Sequence, residues 1–337
     1  MAGGQERVLR RRIRSIKSTQ KITKAMELIA ASQIVRAQGR IAAARPYQEG
    51  MARIVLETAL GDPMAAGRLL GTPEEVHTIA LLAVVADRGL CGAYNSNVLR
   101  ATERFVAAKR AEGIEVRLFT CGKKAPGYFR FRRQPVERSF IGMSERPTFA
   151  EARRVAASLI APFVAGEVEQ VMVLSTRFLS AGTQRVAERQ LLPLPDPRAG
   201  EEGPDATAPS GHGEEQMQWS ARSDKAEASS GSSGALGYIE FEPEASLLLE
   251  TLGPRAAETG VFGALLEAAA AEVTARQRAM AAASDNAGDL ITKYTRIMNR
   301  ARQDAITTEI MEIVGGAESL RAGTAVDEGG IAIEVRV

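Results

Sequence analysis

Two very long helical patterns, one at each end, limit what this chain can fold into more than any other feature. From about Gln5 to Glu57 nearly every residue is a good helix former, and the only strong breakers are Gly39, Pro46 and Gly50. Leu9, Ile13, Ile16, Gln20, Thr23, Met26, Ala30, Gln33, Ala37, Ile41 and Ala44 recur along it at a mean step of about 3.5 residues, the coiled-coil period. Pro46 marks the place for a kink. The far end repeats the idea from about Arg255 to Leu320, where Met280, Ala283, Ala287, Leu290, Tyr294, Ile297 and Ala301 step alternately by three and four. At 1.5 Å per residue each helix would measure roughly 80 to 95 Å, against ~30 Å for the diameter of a small domain. Most of that length must project beyond the chain's own globular part. Both seams carry small or polar residues, so a partner helix can come close but the pair is only modestly stable by itself.

Between the helices the pattern changes to alternating strands and helices. The run Ile79 to Ala86, IALLAVVA, has no polar residue and reads as a strand buried on both faces. Candidate strands are 78–86, 115–121, 136–140, 168–176 and 183–192, with helices over 95–111, 123–131 and 148–165. Together they predict an open, mostly parallel sheet, and so a compact α/β domain inserted between two halves of a coiled coil. From Pro193 to Gly237 the composition shifts to Gly, Ser, Pro and acid, which reads as loop or disorder.

Composition narrows the function classes. The net charge of +2 over 337 residues argues against wholesale polyanion binding, although residues 1–60 carry eight more Lys and Arg than Asp and Glu. That basic face, from Arg10 to Lys24, has few aromatic residues interleaved and reads as solvated or paired with acidic protein rather than as a nucleic-acid site. No apolar run reaches the length of a membrane span. The Arg-rich start continues without a break into the first helical pattern, so it reads as mature protein rather than a transit peptide. Two cysteines, Cys91 and Cys121, and two histidines, His77 and His212, offer neither a disulfide framework nor a metal cluster.

The stretch Asp87 to Asn97, DRGLCGAYNSN, sits where a parallel strand turns into a helix, the usual place for a phosphate-binding loop. Its glycines, Gly89 and Gly92, match neither GxGxxG nor GxxxxGK[ST], and a tight strand-to-helix turn explains them. Cys91 lies at a helix N-terminus, where a thiol pKa can fall, but no histidine stands in a position that suggests a dyad. Glu74 with Glu75, and Glu201 with Glu202, fall in apparent loops. No catalytic constellation, metal site or cofactor site is expected.

Three stretches carry a family resemblance: IRSIKSTQKITKAMELIAASQIVRAQ (Ile13 to Gln38), DRGLCGAYNSN, and ASDNAGDLITKYTRIMNRARQDAITTEIMEIVGGAESL (Ala283 to Leu320). They closely resemble the gamma subunit of F-type ATP synthases of bacterial type, and GKKAPGYF, STRF and YIEFEPE extend the likeness in order along the chain. The resemblance implies a long antiparallel coiled coil of the N- and C-terminal helices with an inserted Rossmann-like open-sheet α/β domain. It implies a non-catalytic central-stalk rotor subunit, peripheral on the cytoplasmic side of the cell membrane. Its partners would be the alpha and beta subunits of the alpha3beta3 hexamer, the epsilon subunit and the membrane c-ring, with no cofactor of its own. Carried over residue by residue, Lys24 and Met26 match positions facing the catalytic beta subunits. Arg302, Gln303, Thr307 and Glu309 match a contact cluster on the last helix, and Glu242 a rotor-ring contact. A nucleotide-dependent α/β enzyme is the alternative reading.

The same resemblance divides the chain into an N-terminal helix at 1–60, a foot domain at 75–245 with an acidic insert at 200–235, a C-terminal helix at 255–320 and an extra tail at 321–337. The insert lies near the place where photosynthetic members carry a regulatory dithiol, yet it contains no cysteine. Glu272-Val273 departs from the usual family pair, and in the tail IAIEVRV alternates like a short strand.

Overall fold

The computed structural model describes residues 2–61, 73, 75–194 and 242–327. The acidic insert, Glu74, Glu201, Glu202, His212 and the strand-like IAIEVRV lie outside the described residues. Two compact units divide the chain, one of Met1–Ile34, Leu90–Gly92 and Val273–Val337, the other of Val35–Gly89 and Ala93–Glu272.

The second unit contains a five-stranded sheet. Strands β1 (Thr78–Val84), β2 (Glu115–Cys121), β3 (Arg138–Phe140), β4 (Gln170–Phe178) and β5 (Gln184–Leu192) lie in the order β3-β2-β1-β4-β5. All neighbours run parallel except β4 and β5, which form an antiparallel pair. Between the strands come α2 (Tyr94–Ala111), α3 (Lys124–Phe131) and α4 (Phe149–Val164). The helix α4 starts where the sequence says it should: Thr148 Oγ1 accepts from the Glu151 N–H, and the Glu151 carboxylate accepts from the Thr148 N–H at 2.8 Å.

Burial explains the unbroken apolar run of β1. Ala80, Leu82 and Val84 point to one face, into a core with Val155, Leu159 and Phe163 of α4. Ile79, Leu81 and Ala83 point to the other, into a core with Val98 of α2 and Phe129 of α3. Helices cover both faces, so every position from Ile79 to Val84 is apolar.

Two long helices frame the chain, α1 (Ala2–Gly61) and α5 (Ala245–Asp327). Both exceed the expected spans. The chain stays helical through Pro46, and α5 passes Leu320 and Gly323 to end at Asp327, so the expected stop near Leu320 is corrected. Gly315, Gly316 and Gly323 each cost the helix only about 1 kcal/mol, too little to end it. Within the sheet-bearing unit, Met51, Val55 and Ala59 of α1 pack with Leu249 of α5. A Cβ on Gly260 would come within 2.6 Å of Leu191 Cδ1, so a glycine there lets α5 lie close to β5.

Within the other unit α1 and α5 run antiparallel: the Arg12 guanidinium lies 5.1 Å over the Tyr294 ring, while Thr23 meets Ser284. The α1 seam stands as expected, with Ile13 and Ala30 buried and Leu9, Ile16, Gln20, Thr23 and Met26 half-buried. The α5 seam differs by one residue at alternate positions. Met280, Ser284, Ala287, Ile291, Tyr294, Met298, Ala301 and Ala305 turn inward, whereas Leu290 and Ile297 are exposed. Ala283 is only half-buried, and Ser284 takes its place in the seam.

Candidate functional site

The loops at the C-terminal ends of β1, β2 and β3 meet on one side chain. Asp87, just past β1, accepts hydrogen bonds from the backbone N–H groups of Lys123 at 2.9 Å, Gly142 at 3.0 Å and Ser144 at 3.0 Å. Its own N–H donates to Ser144 Oγ at 2.9 Å. Burial alone would raise the carboxyl pKa, but the donors from Gly142, Ser144 and Lys123 outweigh it and hold the pKa below its ordinary value. Two further contacts stiffen the turn. Asn95 Oδ1 accepts from the Ala86 N–H at 2.8 Å, and Gly122, at φ +102°, passes so close to β1 that a Cβ would stand 2.1 Å from the Val85 carbonyl oxygen.

This geometry answers the phosphate question raised by DRGLCGAYN. Backbone N–H groups at such loops are what a phosphate needs, and here a carboxylate of the chain itself already takes three of them. The cysteines are equally unsuited to chemistry. Cys91 is buried, and burial pushes the Cys121 thiol up to about 12, with Asp87, Glu151 and Glu272 adding to the rise. His77 is exposed beside Glu75 at 3.4 Å. Among the described residues no group of His, Cys, Asp and Glu could hold a metal ion. The sequence did not single out Asp87, because its three partners are backbone groups with no side-chain signature.

The candidate partner contacts lie elsewhere. Lys24 is exposed, with its ammonium on both carboxylate oxygens of Glu27 at 3.1 and 3.0 Å, and Met26 is half-buried in the α1 seam. Arg302, Gln303, Thr307 and Glu309 are all exposed on α5, where Thr307 Oγ1 donates back to the Gln303 carbonyl at 3.0 Å. The antiparallel pairing puts Met26 level with the stretch from Met280 to Ala283 and Arg302 level with Gln5. At 1.5 Å per residue the two groups are about 30 Å apart along the helix pair, so the structure does not bring them together. Glu242 is exposed just before α5 in the sheet-bearing unit.

Sequence reasoning missed the apolar surface beside the α5 cluster. Beyond Ala305 the helix outruns the start of α1, and Ile306, Ile310, Ile313 and Val314 recur on one face while being 46–66% exposed; Met311 is 69% exposed. The signal was present in TTEIMEIV as steps of four and three. An apolar face of this kind on a charged chain marks a candidate interaction surface.

A family model described as ATP synthase matches residues 5–320. The ATP synthase gamma chain of Frankia casuarinae is 44% identical over 329 residues, covering 95% of this chain and 99% of the relative. That of Acidothermus cellulolyticus is 42% identical over 324 residues, with 95% and 98% covered. The chain belongs to the ATP synthase gamma chain family. At the level of fold, a chain of the Euglena gracilis mitochondrial ATP synthase matches with a TM-score of 0.62 and 16% identity, over 99% of both chains. A Tetrahymena thermophila central-stalk and c-ring structure matches with a TM-score of 0.54 and 20% identity, over 78% of this chain and 99% of that one. Membership of the gamma family fits the geometry of two long paired helices and a sheet-bearing unit.

Proposed function

We propose that this chain is the central-stalk rotor of the F1 sector of a proton-translocating ATP synthase. The alpha3beta3 hexamer surrounds the paired helices, and the sheet-bearing unit works with the epsilon subunit on the membrane c-ring. Rotation of an asymmetric shaft presents different contacts to each beta subunit in turn and so shifts their conformational populations. Lys24 and Met26 form one contact station with the hexamer, and Arg302, Gln303, Thr307 and Glu309 form another. Glu242 contacts the ring. The chain performs no catalysis itself, binds no nucleotide and sits on the cytoplasmic side of the cell membrane as a peripheral subunit.

The observation that carries this reading is the end of α5, where a polar cluster and an apolar face lie together on a helix that has outrun its partner. A self-contained domain would bury Ile306, Ile310 and Ile313; a shaft inside other subunits has no need to. Co-expression with alpha and beta subunits tests it: ATPase activity is expected from the three-component complex and not from this chain alone. Turnover or nucleotide binding by the isolated chain would favour the rival enzyme reading.

A further inference from the structure

We propose that Gln20, Thr23 and Ser284 form a registration lock in the shaft, a polar layer that holds α1 and α5 at one axial position so that twist entering at one end leaves at the other. The inference rests on the rotor reading above. Three hydrogen bonds define the layer. Thr23 Oγ1 donates to the Gln20 carbonyl at 3.0 Å. With that single proton used, the 2.7 Å contact between Thr23 Oγ1 and Ser284 Oγ has Ser284 as donor. Gln20 Nε2 donates to the Ser284 carbonyl at 3.2 Å, which closes a loop between the helices. Gly288 makes room for that amide, since a Cβ there would come within 3.2 Å of Gln20 Nε2.

The neighbouring seam residues cannot do this work. Ile13, Ala30, Met280 and Ala287 are buried and apolar, and apolar contact is non-directional and tolerates small axial displacements. Hydrogen bonds weaken steeply with distance and angle. A slide by one heptad does not restore the hydroxyl pair. Sliding α5 puts Gln277 or Ile291 in the place of Ser284, and sliding α1 puts Ile16 or Ala30 in the place of Thr23. Between Ile13 and Ala30 on α1, and between Met280 and Ile291 on α5, the other seam residues are apolar, and a polar layer in such a stretch specifies register at a cost in stability. Lys24 and Met26 lie within one helical turn of the layer, so axial drift of α1 would carry a whole contact station with it. Gln20, Thr23 and Ser284 are therefore positioning residues for coupling.

The test uses the complete ATP synthase with an all-apolar layer, Gln20→Leu with Thr23→Val and Ser284→Ala. These changes keep the seam buried and so spare the fold. Nitroxides at the exposed positions Lys17 and Asp289 report the distance between the helices by double electron–electron resonance. The expected result is a broadened distance distribution and loss of ATP-driven proton pumping while ATP hydrolysis continues. Thr23→Ser, which keeps the hydroxyl, should retain the narrow distribution and the pumping. If the triple variant does not assemble, Thr23→Val alone carries the same comparison. An unchanged distribution, or a broadened one with pumping intact, overturns the lock. Failure of the rotor reading looks different, because the unsubstituted chain would then confer no activity on alpha and beta subunits.

Discussion

The two units of the molecule solve the burial problem in opposite ways. In the sheet-bearing unit, β1 lies between two helical layers and its residues from Ile79 to Ala83 are wholly buried. In the helical unit, α1 buries only Ile13 and Ala30 and half-buries the seam residues between them, and beyond Ala305 α5 is exposed throughout as far as its side chains are described. The sheet-bearing unit carries its own core. The helical unit keeps only a seam and leaves the rest of its surface exposed. A substitution that removes fit should therefore unfold the sheet-bearing unit, whereas one on the outer surface of the helical unit should leave folding alone and damage assembly.

Four substitutions probe that contrast, from the largest effect on the isolated chain to the smallest. Gly122→Val should prevent the sheet-bearing unit from folding, because the left-handed φ and the Val85 carbonyl at 2.1 Å leave no room for a Cβ. Loss of the cooperative thermal transition would show it, and a variant melting like the parent would refute the close approach. Asp87→Ala removes the acceptor shared by three backbone donors, of which the Ser144 N–H is part-buried, and should lower stability by about 1–2 kcal/mol in chemical denaturation.

The sign of the pH effect at Asp87 follows from its lowered pKa. The stabilisation is fully present above the unfolded-state pKa, near 3.9, and is lost as pH falls through the folded-state value. The parent chain should therefore lose more stability than the Asp87→Ala variant when pH is taken from 6 into the acid range. Equal slopes of stability against pH would remove Asp87 from that role.

Ala287→Trp overpacks the seam and should cost about 1–3 kcal/mol while leaving the sheet-bearing unit folded. Amide exchange would locate the damage, with protection lost around Ala287 and retained in β1. Ile310→Ser should change stability by less than about 0.5 kcal/mol, as exposed positions do, yet weaken assembly with alpha and beta subunits. Melting curves and size-exclusion profiles together would separate the two effects. A large stability loss at Ile310, or normal assembly, would contradict the division of labour between the units.

Legibility in the sequence followed the same divide. The β1 run was readable because burial on both faces leaves only apolar residues, and α4 was readable because Thr148 and Glu151 are a capping box in side chains. The α1 seam was readable because its apolar positions stand among Arg, Lys, Ser and Gln. On α5 the expected seam was off by one residue at alternate positions, and the cause is local. Leu290 and Ile291, and again Ile297 and Met298, are adjacent apolar pairs, while Ala279, Ala281, Ala282 and Ala283 are identical around Met280. Hydrophobic period cannot choose within such pairs; Ser284, held by Thr23 and Gln20, does. The Asp87 network was hidden for a further reason. Its donors are main-chain groups brought together from three loops, and only the folded chain places them side by side.

The exposed end of α5 also bears on how the chain must be supplied. Ile306, Ile310, Met311, Ile313 and Val314 offer water a continuous apolar surface until other subunits cover it. Such surfaces associate with whatever apolar surface they meet. A cell that made this chain in excess of its partners would accumulate adhesive helix ends, each a target for self-association and proteolysis. Matched synthesis with the covering subunits is thus a solubility requirement written into the stretch from Ile306 to Val314, rather than only an economy of assembly.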